Sequence, residues 1–363
     1  MRVLVVNAGS STLKLRVLDE EDAIVGEADV DPWDGTAATT GVAGLLAEIG
    51  GVGAVGHRVV HGGRALTAAT VVTADVEAAI ANLVPLAPLH QRRALAAMTA
   101  ARDVTRGVPH VACFDTAFHA TMAGVARTYA LPAAWRARWG LDRYGFHGLS
   151  HGWAATRGPA VAKVADDARI VSCHLGAGGS LCAISRGRSV DTTMGFTPLD
   201  GIVMATRSGA VDPGLILWLL TDAGLDAAMV TDGLEHHAGL AGIAGGSGDM
   251  RDVLTARAAG NGDAALAFGV YVHRLRQGIA AMAASLGGID LLVFTGGIGE
   301  HAAPVRAAAV DGLAFLGLGL DAAANDAASG DGDITAAKAA VRTAVVTSRE
   351  DIEIARQVRR LLA

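Results

Sequence analysis

Arg58 in "GHRVVHGG" and Arg207 in "ATRSGAVDPG" sit among apolar and glycine residues. A guanidinium is costly to bury alone, so an arginine in such a setting points to a bound anion, against the plainer alternative of a solvated surface cation. Asp115 closes the short apolar run of "ACFDTAFH". A carboxylate at a strand end of an open α/β sheet can serve catalysis or hold a metal; it can equally cap the turn that follows. His147 and His151 in "RYGFHGLSHG" are spaced i, i+4, which on a helix would suit two metal ligands. The glycine between them weakens a helix, and neither an H-E-x-x-H pattern nor a cysteine partner accompanies them, so the reading goes against metal ligation by both. His90 in "APLH" and His174 in "CHLG" read as readily as satisfied core histidines as functional ones.

The elements that must carry these residues are punctuated by small-residue turns. The opening "VLVVNAGSSTLKLRVL" reads as a short buried strand, a turn, and a half-buried strand in which Leu13, Leu15 and Val17 alternate with Lys14, Arg16 and Leu18. Gly9 and Ser10 would suffice for a hairpin corner. Asn7, Ser10, Ser11 and Thr12 together offer more hydrogen-bonding capacity than a corner needs, and suit an anion. The G-x-x-x-x-G-K-[ST] spacing of a Walker loop is absent. "RIVSCHLGAGGSLCAI" repeats the pattern, with Gly176, Gly178, Gly179 and Ser180 forming the turn. "DLLVFTGGIGE" gives a third strand, Leu291 to Phe294, running into a turn of Thr295, Gly296, Gly297, Ile298 and Gly299; no βαβ unit stands behind it to support a dinucleotide fingerprint. Alanine-rich helices are expected from 75 to 82, 95 to 104 and 264 to 286. The mixture predicts an α/β fold. The repeated hairpin predicts two similar domains facing each other, with a phosphate chain between the two glycine turns and a nucleoside at the third.

The 363 residues are enough for two domains. Hydrophobic residues make up 51%, much of it alanine, yet no run is long enough to span a bilayer. The first apolar run is also too short for a signal peptide, so a cytoplasmic, soluble protein is expected. Net charge is −6 with dispersed Lys and Arg, which argues against nucleic-acid binding. Cys113, Cys173 and Cys182 lack C-x-x-C spacing; they suggest neither zinc nor disulfides, only buried, reduced packing.

In chain order, "NAGSSTLK", "GHRVVHGG", "APLH", "FDTAFH", "RYGFHGLSH", "CHLGAGGS", "DTTMGFTPLDG", "ATRSGAVDPG", "GDMRD" and "VFTGGIGE" resemble the acetate kinase family, of the acetate and sugar kinase/heat-shock protein 70/actin superfamily. The resemblance runs nearly end to end, and no single motif carries it. It implies two similar actin-like, ribonuclease H-like α/β domains facing a central cleft, one formed by residues 1–114 with 351–363 and the other, which binds nucleotide, by 115–350. It implies reversible transfer of the ATP γ-phosphoryl to acetate, giving acetyl phosphate and ADP, with Mg2+ (or Mn2+) held by Asn7 and Glu350. Arg58, Arg207, His147 and Asp115 match the catalytic set, His147 and Arg207 stabilising the transferring phosphoryl. Arg58, Val60, Leu89, Phe146 and Pro198 match the acetate site. ATP is expected against Lys14, against His174, Leu175, Gly176, Ala177 and Gly178, against Asp249, Met250 and Arg251, and against Gly296, Gly297, Ile298, Gly299 and Glu300. Ala177 stands where many members have asparagine, and Met250 where an aromatic often packs on adenine. "TSRED" replaces the common "TNEEL", so Glu350 and Asp351 remain alternatives for the metal. A homodimer, metabolically coupled to phosphate acetyltransferase and without nucleic-acid or membrane partners, is also implied.

The residue types fit that chemistry. A carboxylate acceptor is already ionised at neutral pH and needs no general base. It needs charge neutralisation, because two anions must meet, and phosphoryl transfer is mostly positioning and electrostatics. Asp115 would orient the metal or its water, and closure about the cleft would exclude bulk water. The rival readings are a propionate or butyrate kinase, differing in acyl pocket size, and a non-catalytic nucleotide-binding module, for which the set Arg58, Arg207, His147 and Asp115 has no evident use.

Overall fold

The opening hairpin consists of β1 (Val3–Ala8) and β2 (Leu13–Leu18), paired antiparallel with Ala8 opposite Leu13. Val3 to Val6 are at most 1% exposed, as a strand covered on both faces requires. On β2, Leu13, Leu15 and Val17 are buried and Lys14 is exposed. β3 (Ile24–Val30) continues the meander. β4 (Ala54–Val59), β5 (Thr70–Val71) and β6 (His110–Phe114) complete the sheet in the order β3-β2-β1-β4-β6-β5. β1, β4 and β6 are mutually parallel, and β5 is antiparallel to β6. The computed structural model describes residues 1–9, 12–31, 33 and 38–363; Ser10, Ser11 and the Leu89 side chain lie outside the described residues.

A second sheet is built from β7 (Ile170–Leu175), β8 (Gly179–Ser185), β9 (Arg188–Thr192), β10 (Leu291–Thr295), β11 (Gly332–Asp333) and β12 (Arg342–Val345). Its order is β9-β8-β7-β10-β12-β11, with the same pattern of directions as the first. Each sheet is therefore a 3-2-1-4-5 arrangement with a two-residue antiparallel edge strand, the duplication that the repeated glycine hairpin predicts. One face of the first sheet packs on the helices Ala38–Ile49 and Pro88–Val104, through Leu4, Val6, Leu15, Val42, Leu45 and Ala101. The C-terminal helix Glu350–Leu362 comes so close to β4 that a Cβ on Gly56 would sit 2.6 Å from Ile354 Cγ2. The second sheet packs on the helix Gly262–Ser285 through Ala267, Leu275, Ile279, Leu181 and Ala183.

Two compact units result: Met1–Ala120 with Phe146–Trp153 and Arg349–Ala363, and Thr121–Gly145 with Ala154–Ser348. The sequence reading placed 115–120, 146–153 and 349–350 with the second domain. Asp115 N–H donates to the Val59 carbonyl (3.0 Å), and two bonds tie 146–153 to 115–120: Gly148 N–H donates to the Asp115 carbonyl (2.9 Å), and His119 Nε2 meets the Phe146 carbonyl (2.9 Å).

Arg58 lies inside β4. Two local expectations are corrected. The glycines near His147 do not prevent a helix: Gly148–Ala162 is helical. They serve close packing instead, since a Cβ on Gly148 would lie 2.1 Å from the Asp115 carbonyl oxygen and one on Gly158 2.9 Å from Val293 Cγ2. Gly296 to Gly299 form no open turn but begin the helix Gly296–His301, and the Glu300 carboxylate accepts the Gly296 N–H at 2.9 Å.

On the face of β4 opposite Arg58, His57 Nε2 lies 2.8 Å from His110 Nδ1, and His110 Nε2 lies 2.9 Å from Thr105 Oγ1. Cys113, Cys173 and Cys182, on β6, β7 and β8, are all fully buried and unbridged. Among the described residues, no helix is long and apolar enough to cross a membrane.

Candidate active site

Asn7, Arg58 and Asp115 stand at the carboxyl ends of the parallel strands β1, β4 and β6, the edge at which open α/β sheets bind ligands. The register sets this up. Val6 pairs with His57, which puts Asn7 beside Arg58, and Asp115 N–H donates to the Val59 carbonyl at 3.0 Å. Arg58 Nη2 reaches Asp115 Oδ2 at 2.8 Å, and Nε reaches both carboxylate oxygens at 3.2 and 3.3 Å. Its Nη1 donates to Asn7 Oδ1 at 3.2 Å and lies 3.5 Å from Glu350 Oε2. Asn7 Nδ2 donates to the same Glu350 oxygen at 3.1 Å. Lys14 pairs with Asn7 across the hairpin and so shares its face.

Charge in this cluster is tightly balanced. Burial opposes the Arg58 cation, but the Asp115 and Glu350 carboxylates outweigh it and hold the guanidinium above its usual value. Burial pushes the Asp115 carboxyl up to about 6; Arg58 opposes that rise and Glu350 adds to it. Asp115 is 1% exposed, and the pair is ionised at neutral pH. Glu350 and Asp351 part company here. Glu350 faces Asn7 and Arg58, whereas Asp351 is gripped by Arg349 at 2.8 to 3.1 Å. Among the described residues, no three His, Cys, Asp or Glu side chains are grouped to hold an ion by themselves. The hard oxygen donors of Asn7 and Glu350 suit Mg2+, which keeps several waters and takes phosphate oxygens as its other ligands.

His147 precedes the helix Gly148–Ala162 with φ of 55°, and its carbonyl accepts the His151 N–H. That left-handed conformation costs an L residue about 1–2 kcal/mol and is characteristic of functional positions. Phe146 beside it is 1% exposed and meets the His61 ring edge-to-face at 5.5 Å. Val60, 6% exposed, follows β4 directly. Three residues that sequence reasoning passed over organise this corner: Gln91, Thr116 and Gly148. A glutamine at the start of an alanine-rich helix carries no signal of its own, and Gly148 reads only as a helix breaker.

The second unit gathers the expected nucleotide segments. β7 ends in the turn 176–178, closed by Gly176 N–H to the Gly178 carbonyl at 2.8 Å. β10 lies alongside, with Thr295 opposite His174. Gly296, at φ of 77°, approaches so near that a Cβ would lie 2.8 Å from the Leu175 carbonyl oxygen; beside Gly297 the space is open. Ala205 N–H donates to the Ala177 carbonyl, and Gly248 packs on the Ala205 carbonyl, which brings in Asp249 to Arg251. Asp249 caps the helix Met250–Ala258 and pairs with the exposed Arg251. Met250 is 3% exposed and its side chain belongs to the core of the second unit. Ile298 packs on the same core, and Glu300 Oε1 also accepts the Ser348 N–H at 2.9 Å. Arg207 donates to the Pro198 carbonyl at 3.1 Å, which places those two together. Burial lowers the Arg207 pKa, the field of Glu235 offsets this in part, and no carboxylate pairs with it among the described residues. That is the electrostatic condition of a cation awaiting an anion.

Comparison with known proteins agrees with this fold. The profile of the Acetokinase family matches residues 36–356. Acetate kinase of Deinococcus deserti is 43% identical over 393 aligned residues, covering 100% of this chain and 98% of that protein. The crystal structure of Porphyromonas gingivalis acetate kinase superposes with a TM-score of 0.91 at 32% identity, covering 100% of both chains. A propionate kinase from Francisella tularensis superposes with a TM-score of 0.91 at 30% identity, covering 98% of each. With two sheets of one topology, a charged cluster at the parallel strand ends, and a profile match over most of its length, the chain belongs to the acetokinase family.

Proposed function

We propose that the protein is an acetate kinase, transferring the γ-phosphoryl of ATP to acetate in one reversible, in-line step that yields acetyl phosphate and ADP. The observation that carries this reading is Arg58. A buried guanidinium held on three sides by Asp115, Asn7 and Glu350 is a hydrogen-bond donor of fixed orientation at a ligand-binding sheet edge. Acetate is ionised at neutral pH, so its attack on phosphorus needs such donors and further cations, and no base. Arg58 binds and orients the acyl carboxylate, and Arg207 and His147 stabilise the transferring phosphoryl. Asp115, bound to Arg58 through both oxygens, orients that guanidinium and does not abstract a proton. Asn7 and Glu350 would hold Mg2+, which when bound supplies further neutralisation of the phosphates. The family resemblance assigns the acyl methyl to Val60, Leu89, Phe146 and Pro198. The nucleotide lies against Lys14, the turn 174–178, Asp249 to Arg251, and Gly296 to Glu300.

The comparable likeness to a solved propionate kinase supports a second reading, a longer acyl acceptor, which the acyl pocket alone decides. Assembly as a homodimer is supported by the helix Pro213–Thr221, which leaves Leu217 63% and Trp218 54% exposed, with Leu215 and Leu220 beside them. We place the enzyme in the cytoplasm, with acetyl phosphate shared with a phosphate acetyltransferase. The deciding experiment is coupled ADP release with acetate, propionate or neither, with the acyl phosphate trapped as hydroxamate. Acetate-dependent ADP release matched by hydroxamate is expected. ATP turnover indifferent to any carboxylate would overturn the proposal.

A further inference from the structure

β4 ends at Val59, and among the described residues no strand is paired with 60–63 beyond it. Side chains take over the missing ladder. The Gln91 amide, on the helix Pro88–Val104, accepts the His61 N–H at 3.1 Å and donates to the His61 carbonyl at 2.9 Å, so that one side chain satisfies both backbone groups of His61. Its Nε2 also faces the Ile80 carbonyl at 3.5 Å. The next N–H, of Gly62, donates to Thr116 Oγ1 at 3.0 Å, and that of Gly63 to His61 Nδ1 at 2.9 Å. Gln91 is 0% exposed. Losing its amide would strand an N–H and a C=O in a dry interior, each a substantial penalty.

We propose that Gln91 is a positioning residue that fixes the wall of the acyl pocket, and through it sets how long an acyl chain the enzyme accepts. This rests on the reading that Val60 and Phe146 line that pocket. Val60 is bonded to His61, and the His61 ring meets Phe146 edge-to-face, so His61 ties the two pocket residues together and Gln91 holds His61. Leu89, the third pocket residue, lies two positions before Gln91 on the same helix. Arg58 is held separately, by Asp115 and Asn7, and apart from Lys14 the nucleotide segments belong to the other unit. Release of His61 therefore loosens the acyl wall and leaves the phosphoryl machinery in place.

The test compares Gln91→Met, which keeps length and bulk but cannot hydrogen-bond, with Gln91→Asn, which keeps the amide one methylene short. Both are assayed with acetate and propionate, with the ATP KM measured alongside and Val60→Ala as reference. In Gln91→Met the acetate KM should rise and the propionate-to-acetate ratio of kcat/KM should increase about fivefold or more, within the range of one methylene of discrimination. The ATP KM should stay within about twofold, and Gln91→Asn should fall between. If Gln91→Met does not fold, Gln91→Asn carries the same comparison. A changed melting temperature with an unchanged acyl ratio would mean that Gln91 is only structural, and the proposal falls. If Val60→Ala leaves the ratio unmoved as well, the pocket itself is misplaced, and both readings fall together.

Discussion

Arg58 and Arg207 are two cations in opposite circumstances. Arg58 is neutralised in advance by two carboxylates, while Arg207 has, among the described residues, the Pro198 carbonyl and the sulfur of Met204 at 3.8 Å. Replacing either by alanine should lower kcat ~10²-fold or more, the scale of one lost oxyanion-type donor. Lysine should rescue neither well, because a point charge cannot reproduce the fork. Their stability effects should differ. Arg58→Ala leaves Asp115 buried without its partner and should cost about 3–5 kcal/mol. Arg207→Ala removes a cation whose burial is already unfavourable and should cost little. Denaturant titration beside steady-state kinetics checks this contrast, and equal destabilisation would contradict it. Sequence alone made both arginines visible, since each is bracketed by apolar and glycine residues. It could not show which was already paired, because Asp115 and Glu350 lie 57 and 292 positions away from Arg58 and meet it only through sheet register and the C-terminal helix.

The element scale holds what was hardest to read. Strands with continuous or alternating burial, β1, β2, β7 and β10, follow from their residues. The helix Gly148–Ala162 does not, for it contains Gly148, Gly152, Gly158 and Pro159, each locally unfavourable, and its reason is close approach to distant backbone and side chains. A second such device joins β4, β6 and the helix Pro88–Val104. Thr105 Oγ1 donates to the Ala101 carbonyl at 2.6 Å, so it accepts from His110 Nε2–H; His110 Nδ1 is then bare and accepts from His57 Nε2–H. His57 Nδ1 has no partner among the described residues. Burial, with His110 and Arg102 adding to it, holds His57 well below its usual value. Burial, with Arg102 adding to it, holds His110 at about 4, though Thr105 opposes. Folded-state values below the unfolded value mean that the unfolded chain binds more protons. Stability is therefore full above about pH 6.5 and is lost as pH falls toward 4, by about 3 kcal/mol for a histidine shifted this far. Urea midpoints should fall steeply across that interval in the native protein and more gently in His110→Gln. Parallel curves would show that the pair does not govern the acid limb.

At the scale of the whole molecule, "NAGSST" and "HLGAGGS" announce one plan used twice, and the two sheets share strand order and direction. The apolar surface on Pro213–Thr221 was not foreseen, because "PGLILWLLT" reads equally as a buried helix; only its exposure distinguishes the two. If a second copy covers it, Leu217→Asp combined with Trp218→Asp should convert a dimer to a monomer in sedimentation at micromolar concentration, with the circular dichroism spectrum intact. A native protein that sediments as a monomer would remove the assembly proposal.

The three cysteines give the molecule a built-in clock for unfolding. Cys113 lies in the first unit, Cys173 and Cys182 in the second, and burial raises all three thiols above their usual range. A thiol reagent should find nothing to modify in the native protein, since a thiolate that neither forms nor meets solvent cannot react. Pulsed alkylation during slow unfolding, read by peptide mass, would then time-stamp each sheet separately. Labelling of Cys113 at a different rate from the Cys173 and Cys182 pair would reveal that the halves of this duplicated fold come apart in sequence, whereas one shared rate would show that they melt as a single cooperative body.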